Sequence, residues 1–303
     1  MESNNHEHQA LAREIITACL PLSGNSIRIA ISGAPGVGKS TIIESLGLHV
    51  IAEGRKPAIL AIDPTSDITG GSILGDKTRM ESLSKNEVAF IRPSPTSGTL
   101  GGVTKNTIES IILCEAAGYD TIFVETVGVG QSETFAQKLT DIFILLVAPG
   151  GGDELQGIKR GIVELADIIV VNKAEEDRKA LSEASINAYN NATHLATSKD
   201  SGWVVRVIPC SALNHNGIDE LWKLTMDHAN LISGNDHLKR KRKAQNIFWA
   251  KNSMQQKFNA LLSSDKKLAE LYNKILLQIE NGHLSPDKAA PTLINNLSIK
   301  IIV

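Results

Sequence analysis

The sequence predicts an α/β fold in which a mostly parallel sheet is covered by helices on both faces. Short apolar runs rich in β-branched residues recur along the chain, as expected of strands buried on both faces. Segments with helical periodicity separate most of these runs, so consecutive strands are joined by crossovers and run parallel. The chain of 303 residues is long enough for one such domain with an appendage.

Seven apolar runs are predicted to be the strands of this sheet. They are Ser26–Ser32, Pro57–Asp63, Val88–Arg92, Thr121–Glu125, Ile142–Ala148, Ile168–Asn172 and Val204–Pro209. The predicted helices are Gln9–Leu20, one that follows Lys39, Thr104–Ala117, Glu175–Ala196 and one that starts near Gly217. Functional groups are expected at the carboxyl ends of the strands.

Strand signals stop after about Ser233 and return only in the last residues. Lys239–Leu262 and Asp265–Glu280 have helical patterns, and a short helix is expected from Ser285. These segments are too short to close a core of their own, so we expect their apolar faces to pack on the main domain or on a second copy. The predicted organisation is an N-terminal helical segment (1–25), an α/β domain (26–233) and a C-terminal helical dimerisation extension (234–303).

The composition is that of an ordinary globular protein, with a formal net charge of -2. We therefore expect no nucleic-acid partner. From Gly234 onward there are 12 Lys and Arg against 5 Asp and Glu, which indicates either solvated helix faces or a surface for an acidic partner. The chain has no apolar run long enough to span a membrane. Its three cysteines form no CxxC motif, so a reducing, cytoplasmic location is expected.

A glycine-rich segment follows the first predicted strand. It reads Gly33-Ala34-Pro35-Gly36-Val37-Gly38-Lys39-Ser40. The glycines allow backbone N–H groups to face an anion, and the start of the following helix adds positive potential. Lys39 supplies a charge for the β- and γ-phosphates of a nucleotide. This motif between a strand and a helix predicts a P-loop nucleoside triphosphatase.

Oxygen donors for Mg²⁺ are expected at the same edge of the sheet. The Ser40 hydroxyl is one, and Asp63 and Glu125 each end a predicted strand, while Asp76 lies in a glycine-rich loop. Mg²⁺ prefers such oxygen ligands. Any one of the acids could instead cap a helix or face solvent.

Glu125-Thr126-Val127-Gly128 stands where many GTPases have Asp-x-x-Gly. The Gly128 N–H would then contact the γ-phosphate, and the following loop would respond to the nucleotide state. Gln131 is a candidate for positioning the attacking water. It could equally be a surface glutamine.

Two later strand ends predict a guanine base pocket. Asn172-Lys173-Ala174-Glu175 corresponds to the Asn-Lys-x-Asp of guanine readers, in which the acid accepts hydrogen bonds from the base. Ser211-Ala212-Leu213 is similar to the loop that closes over guanine. Glu175 carries one methylene more than Asp, so its selectivity for guanine over adenine could be looser. The alternative is that Asn172 simply ends a strand and Glu175 starts a helix.

The chain resembles the MeaB/ArgK GTPases, which are close relatives of the human methylmalonic aciduria type A protein. The similarity runs from about Ile27 to Trp222. The segments that carry it are ISGAPGVGKST, AIDPTS, TGGSILGDKTRM, AFIRPSP, GTLGG, CEAAGYD, VETVGVGQSE, GGDELQGIKRGI, ELADIIVVNKA and CSALNHNGIDELW.

The resemblance implies a homodimeric GTPase chaperone that gates adenosylcobalamin loading of methylmalonyl-CoA mutase or a related acyl-CoA mutase, and that protects the mutase. The mutase is expected to stimulate GTP hydrolysis. Lys39, Ser40 and Thr41 would hold phosphates and Mg²⁺. The resemblance also places Asp63, Asp76 and Glu125 around the metal, and it implies a partner-coupling switch between Gly152 and Gly161 that includes Asp153, Gln156 and Lys159.

Two other functions are compatible with a P-loop. One is a kinase or ATPase of an amino-acid (lysine/arginine/ornithine) transport system, but the sequence contains no separate substrate domain. The other is a nickel- or cobalt-insertion GTPase, which would require Cys/His clusters near the switches. The sequence has no such cluster.

Overall fold

The computed structural model describes residues 5–62, 80–94, 100–126, 131–150, 160–194 and 199–296. It divides into two units, Met1–Gln245 and Asn246–Val303. The predicted domain boundaries at residues 26 and 234 stay predictions.

The first unit is built on a seven-stranded sheet in which every pairing is parallel, in the order β3-β2-β4-β1-β5-β6-β7. The parallel sheet expected from the apolar runs is therefore confirmed. The strands are β1 (Ile27–Gly33), β2 (Pro57–Ile62), β3 (Phe90–Ser94), β4 (Thr121–Thr126), β5 (Ile142–Val147), β6 (Ile168–Val171) and β7 (Arg206–Pro209).

Helices connect consecutive strands, precede β1 and follow β7. In the first unit they are α1 (His6–Cys19), α2 (Lys39–Ala52), α3 (Glu81–Ser84), α4 (Leu100–Ala116), α5 (Gln131–Gln137), α6 (Arg160–Leu165), α7 (Lys179–His194) and α8 (Ile218–Gly234). The sequence did not predict α3, α5 and α6, because helices of two turns or fewer contain too few residues for a clear periodicity. Among the described helices, none is long and apolar enough to cross a bilayer.

The core lies on both faces of the central strands. Every residue of β4 and β5 is buried, and the largest fully enclosed side chains include Phe123 and Phe143. Ile42, Ile43 and Leu46 of α2 are fully enclosed against the sheet. Because β1 pairs with β4 on one side and β5 on the other, the loop that follows β1 lies at the centre of the sheet's carboxyl edge.

A buried carboxylate, that of Glu115, holds the segment that leads into β1. Glu115, near the end of α4, accepts hydrogen bonds from the Gly24 N–H (2.7 Å), the Ser26 hydroxyl (2.6 Å) and the Arg28 guanidinium (two at 2.9 Å). Burial alone would raise the pKa of Glu115, but Arg28, Ser26 and Gly24 together hold it below its usual value. The amino end of β1 is thus tied to α4.

The first part of the basic C-terminal segment docks at the same amino edge. Helix α9 (His237–Ser264) begins in the first unit and continues into the second. Arg242 makes paired hydrogen bonds of 2.9 and 2.7 Å to Asp141 and also donates to the carbonyls of Gly24 and Ser26. Lys241 donates to the Asp141 carbonyl at 2.6 Å. Burial lowers the pKa of Lys241, although Asp167 and Asp141 oppose that shift. These two residues are not part of a solvated face, contrary to one of the expectations for the segment.

The second unit is helical. It contains the remainder of α9, α10 (Lys266–Glu280), a short 3-10 turn and α11 (Ala289–Asn296). The Asp265 side chain caps α10 by accepting the Leu268 N–H at 3.0 Å. The three C-terminal helices that the sequence predicts are therefore present.

Replacing Glu115 by Gln should destabilise the first unit by about 2–4 kcal/mol, because Arg28 would lose its buried charge partner. Since the pKa of Glu115 is lowered from 4.5, its contribution is complete above that pH and is lost as the pH falls through the folded-state value. The difference between parent and variant should therefore shrink below pH 4.5. Urea denaturation at several pH values measures this difference in unfolding free energy. Glu87→Gln, at an exposed position, is the control, and an equal effect of both substitutions would contradict the assignment.

Candidate functional site

The loop between β1 and α2 is shaped by glycines that have no room for a side chain. Gly38 precedes the first residue of α2 with a φ of 100°, and a Cβ there would lie 2.4 Å from Asn172 Nδ2. A Cβ on Gly33 would lie 2.4 Å from the Leu146 carbonyl oxygen. Only glycine fits either position, and the resulting turn leaves the first amides of α2 available to an anion.

The Lys39 ammonium lies against this loop. It donates to the carbonyl oxygens of Gly33 at 3.0 Å and Ala34 at 3.1 Å. The side chain therefore folds back over the turn, and its positive charge lies beside the start of the helix. This arrangement concentrates positive potential where a phosphate chain would lie.

A hydroxyl and a carboxylate meet next to the loop. Ser40 donates to Glu125 Oε1 at 3.0 Å, and Glu125 is buried near the carboxyl end of β4, opposite Ile31 of β1. The next residue, Thr126, donates to the Ser32 hydroxyl at 2.9 Å. Two side-chain hydrogen bonds thus join the carboxyl end of β4 to the first turn of α2 and to β1.

The end of β6 is connected to the same loop through Asn172. Its side-chain amide donates to the Val37 carbonyl at 2.8 Å, and its oxygen accepts the Ala212 N–H at 3.3 Å. Asn172 is only 2% exposed, so these contacts hold it rigidly. The residue links the phosphate loop to the loop that follows β7.

The loop after β7 closes on itself and on Glu175. Ser211 and Asn216 exchange backbone hydrogen bonds of 3.0 and 3.1 Å, and the Ser211 hydroxyl donates to Glu175 Oε1 at 2.9 Å. Lys173, which lies between Asn172 and Glu175 after the end of β6, has a φ of 63°. Such a positive φ is uncommon for a residue with a side chain. Glu175 therefore has one oxygen fixed by Ser211.

The predicted site residues within the described ranges lie at one edge of the sheet, on loops, strand ends and the first turn of α2. The first group is Gly33, Ala34, Pro35, Gly36, Val37, Gly38, Lys39, Ser40 and Thr41 with Glu125, and the second is Asn172, Lys173, Glu175, Ser211, Ala212 and Leu213. For Gln131 the structure describes the backbone, as the first residue of α5. Asp63, Asp76, Gly128, Asp153, Gln156 and Lys159 lie outside the described residues.

The sequence did not single out Ser32 or Asn216. Ser32 supports Thr126 from within β1, and Asn216 closes the loop that holds Ser211. Both are polar residues at strand or loop ends, and no short motif distinguishes them from ordinary turn residues.

The fold and this site define a P-loop nucleoside triphosphatase. A glycine turn opens a helix, a lysine lies over it, a hydroxyl meets a strand-end carboxylate, and two further loops carry an amide and a carboxylate. These are the parts from which such enzymes hold a nucleotide and its metal.

The particular family follows from comparison with known proteins. A family model described as "Methylmalonyl Co-A mutase-associated GTPase MeaB" matches residues 1–267, so the chain belongs to the MeaB family and is a GTPase that binds guanine nucleotide. "GTPase ArgK" of Escherichia coli is 44% identical over 286 residues, covering 94% of this chain and 86% of that protein. The mouse "Methylmalonic aciduria type A homolog, mitochondrial" is 42% identical over 269 residues, covering 89% and 65%. The resemblance found in the sequence motifs is confirmed.

Solved structures agree with the fold. One described as "LAO/AO transport system kinase" is 36% identical, covers 97% of this chain and 89% of its own, and superposes with a TM-score of 0.78. HypB from Helicobacter pylori, in complex with nickel, is 12% identical with a TM-score of 0.51, over 75% of this chain and 96% of its own. The second likeness concerns the fold alone.

Gly38→Ala should lower both stability and GDP affinity. The new methyl group would displace Asn172, and a left-handed alanine costs about 1 kcal/mol in addition. We expect a loss of at least about 2 kcal/mol of unfolding free energy and at least a tenfold weaker binding of GDP, measured by denaturation and by calorimetry.

The matched control is Gly54→Ala. Gly54 has a φ of 80°, but a Cβ there meets nothing within 4 Å, so it carries the backbone strain without the collision. Equal losses of stability in both variants, with GDP affinity unchanged, would contradict the role given to the Gly38–Asn172 contact.

Proposed function

We propose that the chain is a GTPase chaperone that gates adenosylcobalamin loading of methylmalonyl-CoA mutase or a related acyl-CoA mutase, and that protects the loaded mutase. The observation that carries this proposal is the match of residues 1–267 to a family described as mutase-associated. The geometry of the site independently supports GTP hydrolysis. Ser40 of the phosphate loop contacts Glu125 near the end of β4, and Gly128 follows this strand in the sequence.

Mg²⁺ is the proposed metal. A hydroxyl and a carboxylate 3.0 Å apart, Ser40 and Glu125, offer the hard oxygen donors that Mg²⁺ prefers. Asp63 and Asp76 are the further proposed donors. Bound Mg²⁺ would neutralise charge on the β- and γ-phosphates.

The proposed roles in hydrolysis follow from charge and position. Lys39 would exchange its two carbonyl partners for phosphate oxygens. The Gly128 N–H would contact the γ-phosphate, and Gln131 would orient the water. Isolated GTPases turn over at roughly 10⁻⁴–10⁻² s⁻¹, so slow intrinsic hydrolysis is expected until a partner orders the switches.

Selectivity for guanine is proposed to reside in Glu175. The contact from Ser211 at 2.9 Å directs one carboxylate oxygen and leaves the other for the base, which compensates in part for the extra methylene. Asn172, Lys173, Ala212 and Leu213 are proposed to surround the base.

If Glu175 reads guanine, GTP should bind at least tenfold more tightly than ATP, a difference of about 1.4 kcal/mol. Glu175→Asp should preserve or sharpen this preference, and Glu175→Ala should weaken it. Calorimetric titration of each protein with non-hydrolysable analogues of GTP and ATP measures the ratio. Asp177→Asn removes a neighbouring exposed charge and should leave the ratio of the two nucleotide affinities unchanged. Equal affinities for the two nucleotides in the parent would refute the proposal.

A homodimer is proposed from the second unit. Its helices expose large apolar side chains: Ile247, Met254, Phe258, Leu261, Tyr272, Leu276, Leu277 and Ile294. Burying such faces against a second copy is the common solution for helical extensions.

A cobalamin-dependent acyl-CoA mutase from the same cell should accelerate GTP hydrolysis at least tenfold, because a partner that orders the switches can lower the barrier substantially. Phosphate release with and without the mutase, at fixed Mg²⁺, measures the effect. Lys159→Ala should blunt the acceleration with little change in GDP affinity, since this residue is proposed to couple and not to bind.

Two variants make that experiment specific. Lys39→Ala should abolish hydrolysis under both conditions, and Lys85→Ala, at an exposed lysine directly after α3, should behave as the parent does. The absence of stimulation by every such mutase of the source cell would remove the chaperone proposal and leave the GTPase assignment in place.

A kinase is the second candidate, because a relative at 36% identity is described as a transport system kinase. The same assay separates the two. Release of one phosphate for each GDP formed supports hydrolysis, whereas transfer of the γ-phosphate to a protein acceptor supports the kinase.

A further inference from the structure

A pocket lies next to the proposed base site, and Glu175 is one of its lining residues. It has a volume of about 280 Å³ and is bounded by the start of α7, by Pro209 at the end of β7, and by Asn214 and Asn216. Asn172, Lys173, Ala212 and Leu213 do not line it. Of the residues assigned to the guanine site, only Glu175 lines this pocket.

The charge of this pocket is negative. Glu175, Glu176 and Glu183 line it together with a single cation, Lys179. Three carboxylates against one ammonium favour a positively charged occupant.

A buried hydroxyl supplies an independent indication of a ligand. Ser182 on α7 lines the pocket and is only 3% exposed. Within the described ranges, its Oγ has no hydrogen-bond partner. Buried hydroxyl groups are nearly always satisfied, so a donor inside the pocket would complete it. An ammonium group donates and never accepts, which suits both this oxygen and the carboxylates.

The walls of the pocket favour an organic cation over a bare ion. Its volume corresponds to about nine water molecules at ~30 Å³ each, and Ile186 and Pro209 add apolar surface. The carboxylates of the described residues form no group of three that could hold a metal ion. A short aliphatic chain that carries an amine matches this combination of apolar walls and acidic groups.

We propose that the pocket between α7 and the Asn214–Asn216 loop is a binding site for a small aliphatic amine, held as its ammonium form by Glu176, Glu183 and Ser182. The side chain of Glu183 would balance the ligand's charge, and Ser182 would accept one N–H. Ile186 would contact its methylene groups.

Diaminobutane is the probe, titrated into the full chain saturated with GDP so that the base site is occupied. Binding should be detected by calorimetry and should weaken as salt is added, because exposed carboxylates contribute. Butanediol, which has the same length without charge, should not bind. Glu183→Gln and Ser182→Ala should each weaken diaminobutane binding roughly two- to fivefold, with melting temperatures near that of the parent.

Asp177→Asn is the matched control. It removes one carboxylate from the same acidic segment, but its side chain does not line the pocket, so it should bind diaminobutane as the parent does. Three results would each overturn the proposal: no binding of the diamine, equal binding of butanediol, or a loss in Asp177→Asn equal to that in Glu183→Gln. None of these results bears on GTP hydrolysis, which keeps this test separate from that of the chaperone function.

Discussion

The side chain of Asn172 is the contact on which the arrangement of the site depends. Asn172 directly follows β6. Its amide group hydrogen-bonds both the Val37 carbonyl of the phosphate loop and the Ala212 N–H of the loop after β7. Both of its polar atoms are used in a buried position, where an unsatisfied group would cost about 1–3 kcal/mol. Gly38 must be glycine for the same reason, since any Cβ would occupy the space of this amide. The loop proposed to hold phosphate and the loop proposed to close over the base are therefore connected through one residue.

Much of the fold was predictable because a sheet buried on both faces leaves a strong pattern. All seven strands appear as continuous apolar runs, and crossovers of this length require parallel pairing. The strand order was not predictable, because register and neighbours depend on packing between distant segments. The short helices α3, α5 and α6 were missed, since two turns or fewer provide too few apolar positions to define a face.

The candidate site was partly predictable for a different reason. Gly33 to Ser40 is a local motif whose chemistry is carried by adjacent residues, so the sequence alone indicates it. The Asn172–Val37 and Ser32–Thr126 contacts join residues more than 90 positions apart, and no local pattern encodes them. The docking of Lys241 and Arg242 was obscured by their position in a run of five basic residues, where composition indicates solvent exposure and only the fold brings Asp141 to meet them.

The cap position of α2 has a thermodynamic consequence for the protein in the cell. Most helices that begin in a core are capped by a Ser, Thr, Asp or Asn side chain, but Gly38 has no side chain to offer. An anion bound by the loop would interact favourably with the start of α2. A ligand that binds only the folded state adds RT ln(1 + [L]/Kd) to the unfolding free energy, about 2.7 kcal/mol at a hundredfold excess over Kd. The lifetime of this chain against unfolding and proteolysis is consequently linked to the guanine nucleotide pool, and starvation for that pool would lower its abundance as well as its activity.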